Sequence, residues 1–340
     1  MILLTHTDAT RALYYGARAQ SALEALGPVR LNRGGALAGD ALIDAARGVR
    51  VIVADRAVPA PAALFAALPD LVAFVRGAVD IRTVDLAAAS AAGVLVTRAS
   101  PCFVPAVCEL VIGVMVDLSR GVSDAVASYR AGRQPAVRMG QQIAGSTVGI
   151  IGYGSIGQRL ARLLLAMDAR VLVSDPYAEV TEGPEPVPLA GLLAEADFVI
   201  CLALATLETA NLLNAETLAA MKPGALLINA SRGELLDEAA LAAALDRGHL
   251  AGVALDVGLA PDQMPSPALA ARADVIATPH IGGLTKESAE HQAMETVGQT
   301  AAILRGEVPQ GAVNADKATM LRRWGLSQVW GSGGDRHWRA

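Results

Sequence analysis

The chain reads Val148-Gly149-Ile150-Ile151-Gly152-Tyr153-Gly154-Ser155-Ile156-Gly157-Gln158, and a little further on an acid, Asp175, closes the apolar run Val171-Leu172-Val173-Ser174. The branched apolar residues before the glycines predict a buried strand, and the Leu/Ala-rich residues 158–167 after them predict a helix. Each glycine then has its own use. Gly152 permits a tight turn, Gly154 lets backbone approach a pyrophosphate, and Gly157 lets helix and strand pack closely. The helix start at Ser155 and Ile156 offers N–H groups with no intrahelical partner, at the positive end of the helix dipole. Asp175 suits a ribose hydroxyl and repels the extra phosphate of NADP, so NAD is the expected cofactor. FAD and S-adenosylmethionine use similar turns and stand as alternatives.

Working outward from this turn, strand-like runs recur at residues 147–151, 170–174, 198–202, 225–229, 252–256 and 275–278, with helix-like stretches between them. A separate series precedes it, with runs at residues 2–4, 51–53, 71–75 and 94–97 and helical patterns at 12–26 and 62–68. Strands that alternate with helices imply parallel sheets covered on both faces. The expected fold class is therefore α/β, with two doubly wound parallel-sheet domains. Residues 109–118 read as a buried connecting helix. The polar stretch 130–142, with Gly132 and Pro135, reads as an exposed loop or arm, and residues 286–304 read as one amphipathic helix. The tail beyond Asn314 is expected to be loosely ordered at its end.

Composition agrees with this architecture and excludes other classes. A chain of 340 residues exceeds what one core usually serves, and 53% apolar against 4% aromatic residues supplies the small branched side chains that α/β layers pack. The net charge of −5 is spread without a basic run, so no nucleic-acid partner is expected. Cys102, Cys108 and Cys201 are odd in number and lack C-x-x-C spacing, which argues against disulfides and a metal site. The start, Met1-Ile2-Leu3-Leu4-Thr5-His6, has no basic region ahead of its short apolar run, and Glu109 and Asp117 interrupt the apolar stretch 107–118. Neither a signal peptide nor a membrane span is expected, and the cytoplasm is the expected location.

Three chemically capable residues follow strand-like runs. Arg232 lies in Ser231-Arg232-Gly233 after Leu226-Leu227-Ile228-Asn229, Asp256 follows Val253-Ala254-Leu255, and His280 follows Ala277-Thr278-Pro279. Ligands of open α/β sheets bind at the carboxyl ends of strands, so all three point to the nucleotide crevice. A guanidinium fork holds a carboxylate by two oxygens. An imidazole with an ordinary pKa of about 6.5 exchanges protons near neutral pH. Asp256 suits the nicotinamide carboxamide. Together they suit hydride transfer coupled to proton transfer at a ketone or alcohol carbon.

In order and spacing, five stretches resemble the D-isomer-specific 2-hydroxyacid dehydrogenase family, phosphoglycerate dehydrogenases and glyoxylate/hydroxypyruvate reductases included. They are residues 148–157, Met221-Lys222-Pro223-Gly224-Ala225, Asn229-Ala230-Ser231-Arg232-Gly233-Glu234, residues 250–257, and Thr278-Pro279-His280-Ile281-Gly282-Gly283. The likeness covers residues 40–314. It implies a Rossmann nucleotide domain, residues 102–286, inserted into a flavodoxin-like substrate domain made of residues 1–101 and 287–340. It implies NAD-linked interconversion of a 2-oxo acid and a D-2-hydroxy acid, with Arg232 as substrate clamp and His280 as acid/base. Ala78 and Val79 stand where family backbone amides meet the substrate carboxylate, and Ala230 and Gly282 fall among the cofactor contacts. It further implies a homodimer formed through the nucleotide domains.

The sequence departs from the family at one telling position. A Glu that supports the histidine is expected five residues past Asp256, and Pro261 stands there. Proline cannot hydrogen-bond an imidazole. Asp262 or Gln263 can supply a replacement partner, or His280 works unpaired with a lower pKa. An NAD(H)-binding regulatory, corepressor-like protein with little turnover is the alternative that Pro261 favours. A dehydrogenase of another small anion, such as formate or phosphite, is a second. Asp80 is unfavourable near an anionic substrate unless it pairs with Arg76 or Arg82, and residues 101–105 suggest an apolar pocket wall.

Overall fold

The computed structural model describes residues 1–324, apart from residue 181 and the side chain of Asp262. The expectation for the end of the tail lies outside the described residues. The chain forms two compact units, one from Met1–Cys102 together with the chain from Lys286 onward, the other from Phe103–Thr285.

Unit 1 holds five parallel strands, β1 (Ile2–Leu4), β2 (Val29–Leu31), β3 (Val51–Ala54), β4 (Ala73–Arg76) and β5 (Leu95–Thr97), in the order β2-β1-β3-β4-β5. This is the flavodoxin-like order. Alternate residues serve opposite faces, as a period of two requires. Leu3, Ile52, Phe74 and Val96 enter one core. Ile2, Leu4, Val53 and Val75 enter the other, where they meet Ala293, Val297 and Ile303 of the helix Lys286–Leu304. That helix has the bounds the sequence gives it. The single helix expected over residues 12–26 is instead two, Asp8–Tyr14 and Gly16–Glu24, broken where Gly16 takes φ +76°.

Unit 2 holds seven parallel strands: β6 (Thr147–Ile151), β7 (Arg170–Ser174), β8 (Glu185–Pro186), β9 (Phe198–Cys201), β10 (Ala225–Asn229), β11 (Leu250–Leu255) and β12 (Val275–Ala277). Their order is β12-β11-β10-β9-β6-β7-β8. The chain enters at β6, runs outward through β7 and β8, then returns to β9 on the other side of β6. The direction of winding therefore reverses between β6 and β9, which is where such sheets bind ligands. Val148, Ile150, Val171, Phe198 and Ile200 pack on one face with the helix Val104–Arg120. Leu172, Val199, Leu227 and Val253 pack on the other.

The helix Val104–Arg120 is longer than its apolar center at 109–118 suggests. Pro105 is tolerated in its first turn, and Gly121, at φ +63°, ends it with a left-handed cap. A second helix follows at once, Val122–Arg130, and residues 131–142 carry no regular structure. Among the described residues, no helix is long and apolar enough to cross a membrane.

Candidate active site

The glycine turn of unit 2 is built by close main-chain contact. Gly152 has φ +97°, and a Cβ there would lie 2.7 Å from the Ala203 nitrogen after β9. A Cβ on Gly157 would overlap the Gly152 carbonyl oxygen, so both positions require glycine to bring turn, helix and sheet together. Gly154 differs, because a Cβ there would meet nothing within 4 Å. It is the N-cap of the helix Ser155–Ala166, and no side chain caps that helix. Open space at the uncapped positive end of a 12-residue helix fits a dinucleotide pyrophosphate.

Asp175 lies beside the turn. Tyr153 donates its backbone N–H to Asp175 Oδ2 at 2.7 Å, while the N–H groups of Tyr177 and Ala178 donate to Oδ1 at 2.9 and 3.2 Å. The acid following β7 is thus tied to the glycines following β6, two strands paired in register through Ile151 and Ser174. These residues fit NAD as the sequence predicts.

On the other side of the sheet, β10 and β11 pair in register through Asn229 and Leu255, so residues 230 and 256 leave the sheet at the same level. Asn229 is fully buried and organises the loop that carries Arg232. Its Nδ2 donates to the Arg232 carbonyl at 2.9 Å, and its Oδ1 accepts from Ser231 N–H at 3.1 Å. Ser231 Oγ donates to the Ala203 carbonyl at 2.6 Å, linking this loop to the exit of β9. Arg232 is half-buried, with Nη1 donating to the Ser231 carbonyl at 2.6 Å. Sequence reasoning did not single out Asn229, although a polar residue ending the run Leu226-Leu227-Ile228 was the available signal.

Asp256 is 5% exposed and organises the turn that carries His280. Thr278 Oγ1 and Ile281 N–H donate to its Oδ1 at 2.6 and 2.8 Å, and Gly282 N–H donates to its Oδ2 at 2.7 Å. His280, half-buried, sits inside this clamp with φ +53°, a left-handed conformation that a non-glycine residue keeps only when its surroundings hold it. Thr278 is a second contributor that sequence reasoning missed.

Pro261 begins a short 3₁₀ turn, Pro261–Gln263, at the exposed tip of a loop closed by Gly258 N–H to the Gln263 carbonyl (2.9 Å) and Ala260 N–H to the Met264 carbonyl (3.0 Å). Gln263 there takes φ +58°. The side chain of Asp262 lies outside the described residues.

In unit 1, Ala78 and Val79 follow β4 at its carboxyl edge and are half-buried. Arg76, fully buried, braces the start of this loop by donating to the carbonyls of Asp55 (2.6 Å) and Arg56 (2.8 Å) and to Thr83 Oγ1 (2.7 Å). Burial lowers its pKa to about 10 against the opposing pull of Asp55 and Asp80. Asp80 pairs with Arg82, whose Nη2 lies 2.8 Å from Oδ2. The loop acid thus has the compensating cation that an anionic substrate nearby would require. His6 is buried, and burial lowers its pKa to about 4, partly opposed by Asp55, whose Oδ2 lies 3.7 Å from Nε2. Cys102 donates to the Ser288 carbonyl at 3.4 Å, and burial raises its pKa, which keeps it a poor nucleophile.

Comparison with known proteins agrees with this geometry. The model of the D-isomer specific 2-hydroxyacid dehydrogenase NAD binding domain matches residues 112–282. A D-3-phosphoglycerate dehydrogenase of Mycobacterium leprae is 36% identical over 75% of this chain and 49% of its own length. This chain thus spans about half the length of that relative. A glyoxylate reductase of Thermococcus onnurineus is 31% identical over 82% of this chain and 86% of its own length. Among solved structures, the TT0316 protein from Thermus thermophilus superposes with a TM-score of 0.83 at 32% identity, over 92% of this chain and 99% of that one. With the glycine turn, the strand-end acid and the Arg232 and His280 segments all following the strands that this likeness requires, the chain belongs to the D-isomer specific 2-hydroxyacid dehydrogenase family and carries its NAD-binding domain.

Proposed function

We propose that the chain is an NAD-linked oxidoreductase that interconverts a 2-oxo acid and a D-2-hydroxy acid. The observation that carries this reading is that the glycine turn, the Arg232 loop and the Asp256 clamp around His280 all follow the carboxyl ends of strands in one sheet. Bound NAD supplies or accepts the hydride. The backbone at Gly152, Gly154, Ser155, Ile156 and Gly157 holds the pyrophosphate, and Asp175 accepts from the ribose. Ala230, Arg232, Asp256, His280 and Gly282 border the cofactor at the other end.

Arg232 holds the substrate carboxylate through its fork. In unit 1, Ala78 and Val79 are the residues proposed for substrate, through their main-chain N–H groups. His280 donates a proton to the carbonyl oxygen during reduction and removes it from the hydroxyl during oxidation. Reduction therefore needs the protonated ring and is favoured toward acid pH. Asp262 takes over the support that a carboxylate at the Pro261 position would give His280. The three cysteines are free, which suits a reducing, cytoplasmic setting. A homodimer formed through unit 2 completes the proposal.

The test is NADH oxidation with glyoxylate, hydroxypyruvate and phosphonooxypyruvate across pH. His280→Ala is expected to lower kcat by about 10²-fold or more. Asp262→Ala is expected to move the pH optimum of reduction to more acid values. Tight NADH binding without turnover of any oxo acid would instead support the regulatory reading that Pro261 favours.

A further inference from the structure

Two contacts of one short segment have separate functional targets. Asp256 holds the turn around His280 by accepting from Thr278, Ile281 and Gly282. Two residues later, main chain stacks on main chain. A Cβ on Gly233 would overlap the carbonyl of Gly258, and a Cβ on Gly258 would lie 2.5 Å from Pro265 Cα and 2.6 Å from the Met264 carbonyl oxygen. Gly233 directly follows Arg232, so the Arg232 loop rests on Gly258 with no side chain between them. Gly258 in turn rests on residues 264–265, which close the loop bearing Pro261. Val257, 2% exposed, anchors the segment in the core between these two contacts.

We propose that Asp256-Val257-Gly258 is one positioning segment that seats His280 through the Asp256 clamp and Arg232 through the Gly258 contact. The inference rests on the oxo-acid reading above. It assigns a role to Gly258. It also describes how the turn carrying His280 is held where the family's supporting glutamate is replaced by proline: through the Thr278 hydroxyl before it and the N–H groups of Ile281 and Gly282 after it. Because the two contacts differ, they have different kinetic signatures. Bulk at residue 258 displaces the carboxylate clamp and weakens substrate binding. Loss of a donor to Asp256 loosens the acid/base group and slows the proton step.

The experiment compares wild type, Gly258→Ala and Thr278→Val as full chains, with glyoxylate as oxo acid and NADH affinity measured separately by fluorescence. Gly258→Ala is expected to raise the glyoxylate KM about tenfold, with kcat and the NADH Kd within about twofold. Thr278→Val removes one donor to Asp256 without adding bulk. It is expected to lower kcat about three- to tenfold and shift the alkaline limb of the pH profile for reduction, with the NADH Kd changed by no more than about twofold. If Gly258→Ala does not fold, Pro265→Ala loosens the layer beneath Gly258 without adding an atom and is expected to give a weaker rise in KM. Variants that lower kcat, kcat/KM and NADH affinity by one common factor, or change none of them, would overturn the inference while leaving the oxo-acid reading intact. Wild type that binds NADH yet reduces no oxo acid would overturn that reading and this inference with it.

Discussion

Asp175 has both carboxylate oxygens engaged by main-chain N–H groups, so its direction is set before any ribose arrives. A fixed carboxylate discriminates against a 2′-phosphate more sharply than a mobile one, because it cannot turn away. Asp175→Ser is therefore expected to reduce the preference for NADH over NADPH, read as the ratio of their kcat/KM values, by at least about tenfold, or ~1.4 kcal/mol. An unchanged ratio would remove Asp175 from the selectivity. His6 makes a different kind of prediction. It stays neutral in the fold down to a pH of about 4, whereas the unfolded chain protonates it near the ordinary value of 6.5. Between these values the unfolded chain binds more protons, so stability rises with pH across the window and is lost on acidification. The loss amounts to at most about 3 kcal/mol. Thermal transitions at pH 7 and pH 4.5 should separate further in wild type than in His6→Gln. Equal separations would show that His6 is not the acid-labile group.

At the scale of elements, the glycine turn lets fold and ligand be tested apart. A methyl on Gly157 must displace the Gly152 carbonyl, which is main chain and cannot swing aside. Gly157→Ala should thus destabilise the protein by about 1–3 kcal/mol as well as weaken NADH. Gly154 has an ordinary φ of −71° and open space around its Cβ direction. Gly154→Ala should leave the melting temperature nearly unchanged and still weaken NADH about tenfold or more, because the added methyl occupies space the pyrophosphate needs. Equal NADH affinity in Gly154→Ala and wild type would argue against this placement of the phosphates. The turn, the long buried strands and the helix Lys286–Leu304 were legible because their patterns are strong and continuous. β2 was missed because it is three half-buried residues, and β8 because it is two exposed ones. Neither carries enough apolar sequence to register a period. Of the site, Arg232, Asp256 and His280 could be placed at strand ends from sequence. The bonds that fix them could not, since Asn229 and Thr278 act through register and turn geometry that only the paired strands define.

At the scale of the whole molecule, unit 2 carries apolar side chains that its own core does not use. The helix Val122–Arg130 has no buried residue, and Val122, Val126 and Tyr129 fall on one stripe, four and seven residues from its start, all exposed. Val116 on the preceding helix is exposed as well, and Val137 and Met139 of the irregular stretch after it are fully so. Large apolar groups gathered in one stretch of chain are uncommon on a monomer surface and typical of a partner-binding one. The spacing adds to this argument. A stripe at helical period is what an amphipathic helix presents to another surface. The proposed homodimer through unit 2 gives these residues a use. Sedimentation of wild type at micromolar concentration should therefore report twice the chain mass. Val126→Glu combined with Tyr129→Ser should report the monomer, because a carboxylate buried without a partner in an apolar contact costs several kcal/mol, enough to dissociate an ordinary interface. Both substitutions lie on an exposed stripe outside either core of unit 2, so the melting temperature of the monomer should fall only by the contribution of association, and NADH binding should persist. A wild-type monomer, or a double variant that remains dimeric, would show that this face serves another purpose.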